Sequence, residues 1–63
     1  MEWNELKGKK VHLILKNRYE YNGNVVDVDD RGNGLIFISL IDMFKKQVTF
    51  ATGEVVFLEV KDG

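Results

Sequence analysis

Few side chains in this sequence are equipped for bond-making chemistry. There is no cysteine and a single histidine, His12. That removes thiolate nucleophiles, thiolate metal sites and disulfides, and it leaves no histidine cluster for a metal or a Ser-His-Asp triad. The densest set of potential ligands is Asp27, Asp29 and Asp30, followed by Gly32. Asp27, Asp29 and Gly32 match positions 1, 3 and 6 of a calcium loop, but Arg31 takes position 5 and Ile38 takes position 12, where a bidentate glutamate is needed. The pattern fails as a calcium site, and neither metal nor cofactor is expected. His12 reads as a half-exposed strand residue. With no nucleophile–base pair to assemble, the chain is expected to bind rather than catalyse. The parts suited to binding are flat and cationic. Trp3, Tyr19, Tyr21, Phe37, Phe50 and Phe57 offer ring faces, and Lys9, Lys10, Lys45 and Lys46 offer cations. Together these are the ingredients of a single-stranded nucleic-acid surface. Core and interface packing is the competing use of most of the rings, and solubilising charge that of the lysines. Tyr19 and Phe44 are expected to be the exposed aromatics.

The elements that must carry these groups fit in one domain, residues 1–63. Apolar residues make up 44% and charged residues 30%, which suits a soluble globular protein. The net charge is −1, from 9 basic and 10 acidic residues. That argues against a strongly basic duplex-DNA binder, which needs many phosphate contacts, and no duplex DNA partner is expected. No apolar run approaches a membrane helix and no signal-peptide pattern is visible, so a cytoplasmic protein without a membrane partner is expected. A domain this small, with neither disulfide nor metal, commonly gains stability by self-association.

Along the chain, residues 1–8 read as a short α-helix. Trp3 and Leu6 share one face, Glu2 and Glu5 come early, Lys7 comes late, and Gly8 stops it. From Lys10, Val11, Leu13 and Leu15 alternate with His12, Ile14 and Lys16, the period of a strand with one buried face. Asn22-Gly23 is a strong two-residue hairpin signal. The preferred reading nevertheless turns at Lys16-Asn17-Arg18 and keeps Gly23 inside a long second strand, where a glycine marks a sharp bend. Residues 29–34 form a loop. Leu35 to Ile41 is apolar except at Ser39, as in a strand covered on both faces. Asp42 to Lys46 is a turn, Gln47 to Phe50 a strand, Ala51 to Glu54 a tight turn, and Val55 to Leu58 a final apolar strand fading into a polar tail at 61–63. Five strands with short connections imply a mostly β fold, a strongly bent antiparallel sheet or small open barrel. The final strand carries neither the charge nor the proline that usually blunts an edge. Head-to-tail pairing with another copy, repeated until a ring closes, would satisfy it.

At this point the sequence resembles the Sm/LSm family, which includes Hfq, over about residues 2 to 60. Gly8-Lys9-Lys10-Val11 matches the start of that family's first motif. Leu15-Lys16-Asn17-Arg18-Tyr19-Glu20-Tyr21-Asn22-Gly23 matches the length of its Leu-Lys-Asp-Gly-Arg-x-Phe-x-Gly stretch, with the aromatic and the glycine kept. Asp29-Asp30-Arg31-Gly32-Asn33 keeps the Asp-to-Asn spacing of Asp-x-x-Met-Asn, and Ala51-Thr52-Gly53 stands where the second motif has Ile-Arg-Gly. The resemblance implies an Sm-like fold, a helix capping the bent five-stranded sheet. It also implies hexameric or heptameric rings in which the fourth strand of one subunit pairs with the fifth of the next. Val48, Phe50, Val55, Val56, Phe57 and Leu58 would then form the subunit interface. Short single-stranded RNA, often U-rich, would bind at the pore through Arg31, Asn33, Thr52 and Gly53. An asparagine reads a base edge with paired donor and acceptor, and a guanidinium stacks on a base. Thr52 in place of the arginine removes a cation with forked donors. A ring that no longer binds RNA, acting as a structural or protein-interaction module, is the alternative, and a monomeric SH3-like adaptor is a third.

Overall fold

The computed structural model describes residues 2–61. Met1, in the expected helix, and residues 62 and 63, in the expected tail, lie outside the described residues. The chain forms a 3-10 turn, Trp3–Leu6, then β1 (Lys10–Leu15), β2 (Glu20–Asp30), β3 (Ile36–Asp42) and β4 (Gln47–Ala51), a second 3-10 turn (Thr52–Glu54), and β5 (Val55–Val60).

The N-terminal element is a correction. It is a single 3-10 turn and not an α-helix over 1–8. So short a segment cannot offset the cost of nucleating an α-helix. Residues three apart eclipse in a 3-10 turn, so Trp3 and Leu6 still share the face that docks. Leu6 is buried and Trp3 packs against the core. The Gly8 N–H donates to the Val25 carbonyl at 2.8 Å, and the Val25 N–H to the Lys9 carbonyl at 2.9 Å, fastening the segment to β2.

The five strands form one antiparallel sheet in the order β4-β3-β2-β1-β5. Val11, Leu13 and Leu15 of β1 face inward with Val25, Ile38, Leu40 and Phe50, and with Leu6 they make the core. The sheet has to curl. β4 and β5 are its two outer strands, which in a flat sheet would lie roughly 19 Å apart at about 4.8 Å per strand. Only Thr52–Glu54 joins them, and a 3-10 turn of that length reaches less than about 10 Å. The bend enters through β2. At Gly23 a side chain would overlap the Ile41 carbonyl and come within 2.8 Å of the Asp42 Cα, so only glycine fits under β3. A register shift between Val25 and Asp27 adds a bulge to the same strand. The curl stops short of closure, because β4 and β5 are not paired with each other.

Two hairpins use the same device. Leu15 N–H donates to the Tyr19 carbonyl (2.9 Å) around Lys16-Asn17-Arg18, with Arg18 at φ +72°. Asp42 N–H donates to the Lys46 carbonyl (2.9 Å) around Met43-Phe44-Lys45, with Lys45 at φ +65°. Each is a three-residue loop ending in a left-handed residue. In β3 the inward residues Ile38 and Leu40 are buried, whereas the outward row Phe37, Ser39 and Ile41 is half-buried and Leu35 is exposed. A single chain thus covers one face of this strand, and cover for the other would have to come from a partner. Among the described residues no helix is long and apolar enough to cross a membrane.

Candidate nucleic-acid interface

The residues implied as RNA contacts sit on two connections at one end of the sheet. Asp30 pairs with Ile36 at the base of the β2–β3 loop, and Phe37 pairs with Ala51, the residue before the second 3-10 turn. The register therefore sets Arg31 and Asn33 on the loop beside Thr52 and Gly53 on the turn.

The loop is tightly closed. Arg31 N–H donates to the Leu35 carbonyl at 2.8 Å, and Leu35 N–H donates to the Gly32 carbonyl at 3.0 Å. Inside that turn Asn33 and Gly34 have φ of +57° and +77°, the two positive values that a type I′ turn requires. Asn33-Gly34 is thus a true hairpin turn, whereas Asn22-Gly23 runs on as strand. Asp30 also contributes, its Oδ1 accepting from the Gly32 N–H at 2.9 Å. Asp29, one residue earlier, faces the outer surface of the sheet opposite Phe37, because the strand alternation turns its neighbour Asp30 toward the loop.

Asp29 serves Arg31. The Arg31 Nε donates to Asp29 Oδ2 at 2.8 Å, and the guanidinium lies 5.4 Å from the centre of the Phe37 ring, within cation–π range. Both partners remain largely exposed. The stretch 29–34 therefore holds two carboxylates against one guanidinium that is already paired, and Glu54 adds a third carboxylate on the adjoining turn. Asn33 is exposed on the loop tip, Gly53 is exposed and Thr52 is half-buried. What this end offers a ligand is an amide, backbone groups and a stackable guanidinium, with little net attraction for phosphate.

A second feature lies along the outer edge of β4. A groove of about 450 Å³ is walled on one side by Val48 to Ala51 and on the other by Lys16, Asn17, Tyr19 and Tyr21. Tyr21 stacks nearly parallel on Phe50, with centres 6.4 Å apart, and Tyr19 meets Tyr21 edge-on. Lys16 N–H donates to the Glu54 carbonyl at 2.8 Å and closes one end. Sequence reading does not reveal this groove, since its walls are distant in the chain and meet only when the sheet curls. The two aromatics at 19 and 21 are its only trace.

The residues implied as subunit interface divide by burial. Phe50 is buried, and Val48, Val55 and Leu58 pack against the core from the two outer strands. Val56 and Phe57 are 60% and 45% exposed. Phe57 lies on the outer face, where it meets the His12 ring edge-on, and His12 also contacts the Glu20 carboxylate across β1 and β2. Among the described residues no group of three acidic, histidine or cysteine side chains could hold a metal. Comparison with protein-family models, with curated proteins and with solved structures finds no match to this chain.

Proposed function

We propose that this chain is an Sm-like ring subunit that binds short single-stranded, U-rich RNA. The observation that carries the reading is the placement of the two outer strands. β4 and β5 end the same sheet and each pairs on one side only. β4 borders an aromatic groove and β5 exposes Val56 and Phe57. An open sheet with two different unpaired edges, β4 without a charge and β5 with only Glu59 and the irregularity at Val56 to blunt it, is suited to head-to-tail addition, which forms a ring if the rotation closes. In that assembly the β5 of a second copy lies along β4 and fills the groove. The two loops bearing Arg31, Asn33, Thr52 and Gly53 are then repeated once per subunit, and repetition turns several weak base contacts into useful avidity. Asn33 reads a base edge, Arg31 stacks, and the Thr52-Gly53 turn supplies backbone contacts. The chemistry is binding alone.

Native mass spectrometry with and without oligo(U) tests this. A multiple of 7.3 kDa that gains mass with oligo(U) is the expected result. A single chain at every concentration would sink the ring. A ring that retains no RNA at low salt would favour the second reading, a structural or protein-interaction module. The pairing of Arg31 with Asp29 and the uncharged Thr52 are the features that favour that alternative.

A further inference from the structure

The turn between β3 and β4 breaks the usual rules of turn composition. Hairpin turns favour glycine, asparagine, aspartate, serine and proline. Here the loop is Met43-Phe44-Lys45. Met43 and Phe44 are 69% and 76% exposed, the highest values among the exposed large apolar residues described. Lys45 takes a left-handed φ of +65° where glycine or asparagine would be the low-energy choice. The turn is nonetheless well held. Asp42 Oδ1 accepts from the Phe44 N–H at 2.8 Å and from the Lys46 N–H at 2.9 Å, and the Asp42 carbonyl accepts from the Lys45 N–H at 2.9 Å. A rigid turn that displays an aromatic and a thioether at some local cost is the kind of inconsistency found at functional positions.

The charges narrow the use. Lys45 and Lys46 make no ion pair among the described residues, and the one nearby carboxylate in the turn, Asp42, is engaged with the backbone. At the other end of β3 the balance is reversed, with Arg31 paired to Asp29 and Asp30 beside it. The end that carries the base-reading asparagine is thus poor in phosphate-binding charge, and the opposite end has cations to spare beside an exposed ring.

We propose that the 43–46 turn is a second contact for single-stranded nucleic acid, with Phe44 stacking on a base and Lys45 and Lys46 holding the flanking phosphates. This rests on the RNA-binding reading above and assigns the backbone contact to a different surface. An anionic bilayer fits less well by magnitude. Even a whole myristoyl chain gives only marginal membrane binding, and one phenylalanine with one methionine buries less. Stacking on one aromatic, by contrast, is sufficient to alter single-strand affinity measurably. β3 separates the two surfaces by roughly 20 Å at about 3.3 Å per residue, so a short oligomer seated at the loops does not reach the turn and a longer one does.

The test is titration of the intact protein with oligo(U) of about 4 and about 16 nucleotides, the span of single-strand site sizes for a small β-barrel module, alongside phosphatidylserine vesicles. Phe44→Ala should weaken the longer oligomer by at least about fivefold and leave the shorter one unchanged. Phe44→Trp should keep the affinity and show quenched emission on binding. Lys45→Gln with Lys46→Gln should lower the salt slope for the longer oligomer by roughly 1.4, two single-strand phosphates' worth. If Phe44→Ala binds both oligomers like the parent while Asn33→Gly weakens both, the turn has no such role and the loop reading survives. If Phe44→Ala weakens binding and Asn33→Gly does not, the turn stands and the loop reading falls. Retention of neither oligomer at low salt overturns both, and Phe44-dependent capture of vesicles with unchanged RNA binding gives the turn to a bilayer.

Discussion

Asp29 holds Arg31 in place: its Oδ2 accepts from the Arg31 Nε at 2.8 Å while the guanidinium sits over Phe37. The strand alternation puts Asp29 and Phe37 opposite each other on the outer face, so a cation two residues further on folds back across both. An exposed pair of this kind contributes up to about 1 kcal/mol. Asp29→Asn should therefore change the melting temperature little. It should strengthen oligo(U) binding by up to roughly fivefold, because Arg31 is released and a negative charge is lost. Weaker binding on isothermal titration would mean that the paired guanidinium is the form that stacks on the base.

Asn33 has two separable roles, one in its backbone and one in its amide. At φ +57° glycine is at ease and alanine is strained by about 1–2 kcal/mol. Asn33→Gly should keep the thermal stability and reduce oligo(U) affinity, whereas Asn33→Ala should lower both. If the glycine variant binds as well as the parent, the side chain serves only the turn.

Gly23 is the most demanding position in the sheet. Gly23→Ala would drive a methyl group into the Ile41 carbonyl and toward the Asp42 Cα, atoms that move only if β3 moves. Overpacking costs about 1–3 kcal/mol, and a rigid backbone neighbour puts this case at the upper end. For a domain of this size the melting temperature should fall by more than about 10 °C, read by circular dichroism. A variant that melts with the parent would show that β2 and β3 are less closely crossed here than the register indicates.

Val56 lies on the outer strand at 60% exposure, in the register shift between Ile14 and Leu15. Val56→Lys places a charge on the β5 edge with little to lose inside the chain, within about 0.5 kcal/mol for an exposed site. Sedimentation should show the assembly falling to a 7.3 kDa species that keeps its far-ultraviolet β signature. An unchanged large species would place the subunit contact elsewhere.

Much of the architecture was determined by the sequence alone, because it is local. The alternation of Val11, Leu13 and Leu15 with His12, Ile14 and Lys16 selects the buried face of β1, and the breaks in strand pattern at 16–18, 29–34 and 42–46 place the turns to within two residues, β2 running on to Asp30. Period-two patterning and turn chemistry act within a few residues and need no partner to be read. The dipeptide Asn-Gly occurs twice; the preferred reading already keeps Gly23 in the second strand, and the structure adds the reason, that β3 crosses too close there for a side chain, while the pair at 33–34 makes the hairpin turn. Three matters were decided only by tertiary structure. The N-terminal segment became a 3-10 turn, because docking Trp3 and Leu6 outweighs its weak α propensity. Arg31 became a partner of Asp29 and Phe37, because the register brings a residue from the next strand under its side chain. The aromatic groove exists only because curling brings Tyr21 of β2 onto Phe50 of β4. The docking of the N-terminal turn and the groove depend on residues far apart in the chain, and the Arg31 contact depends on the strand register, and spacing along a sequence carries no record of which neighbour will arrive.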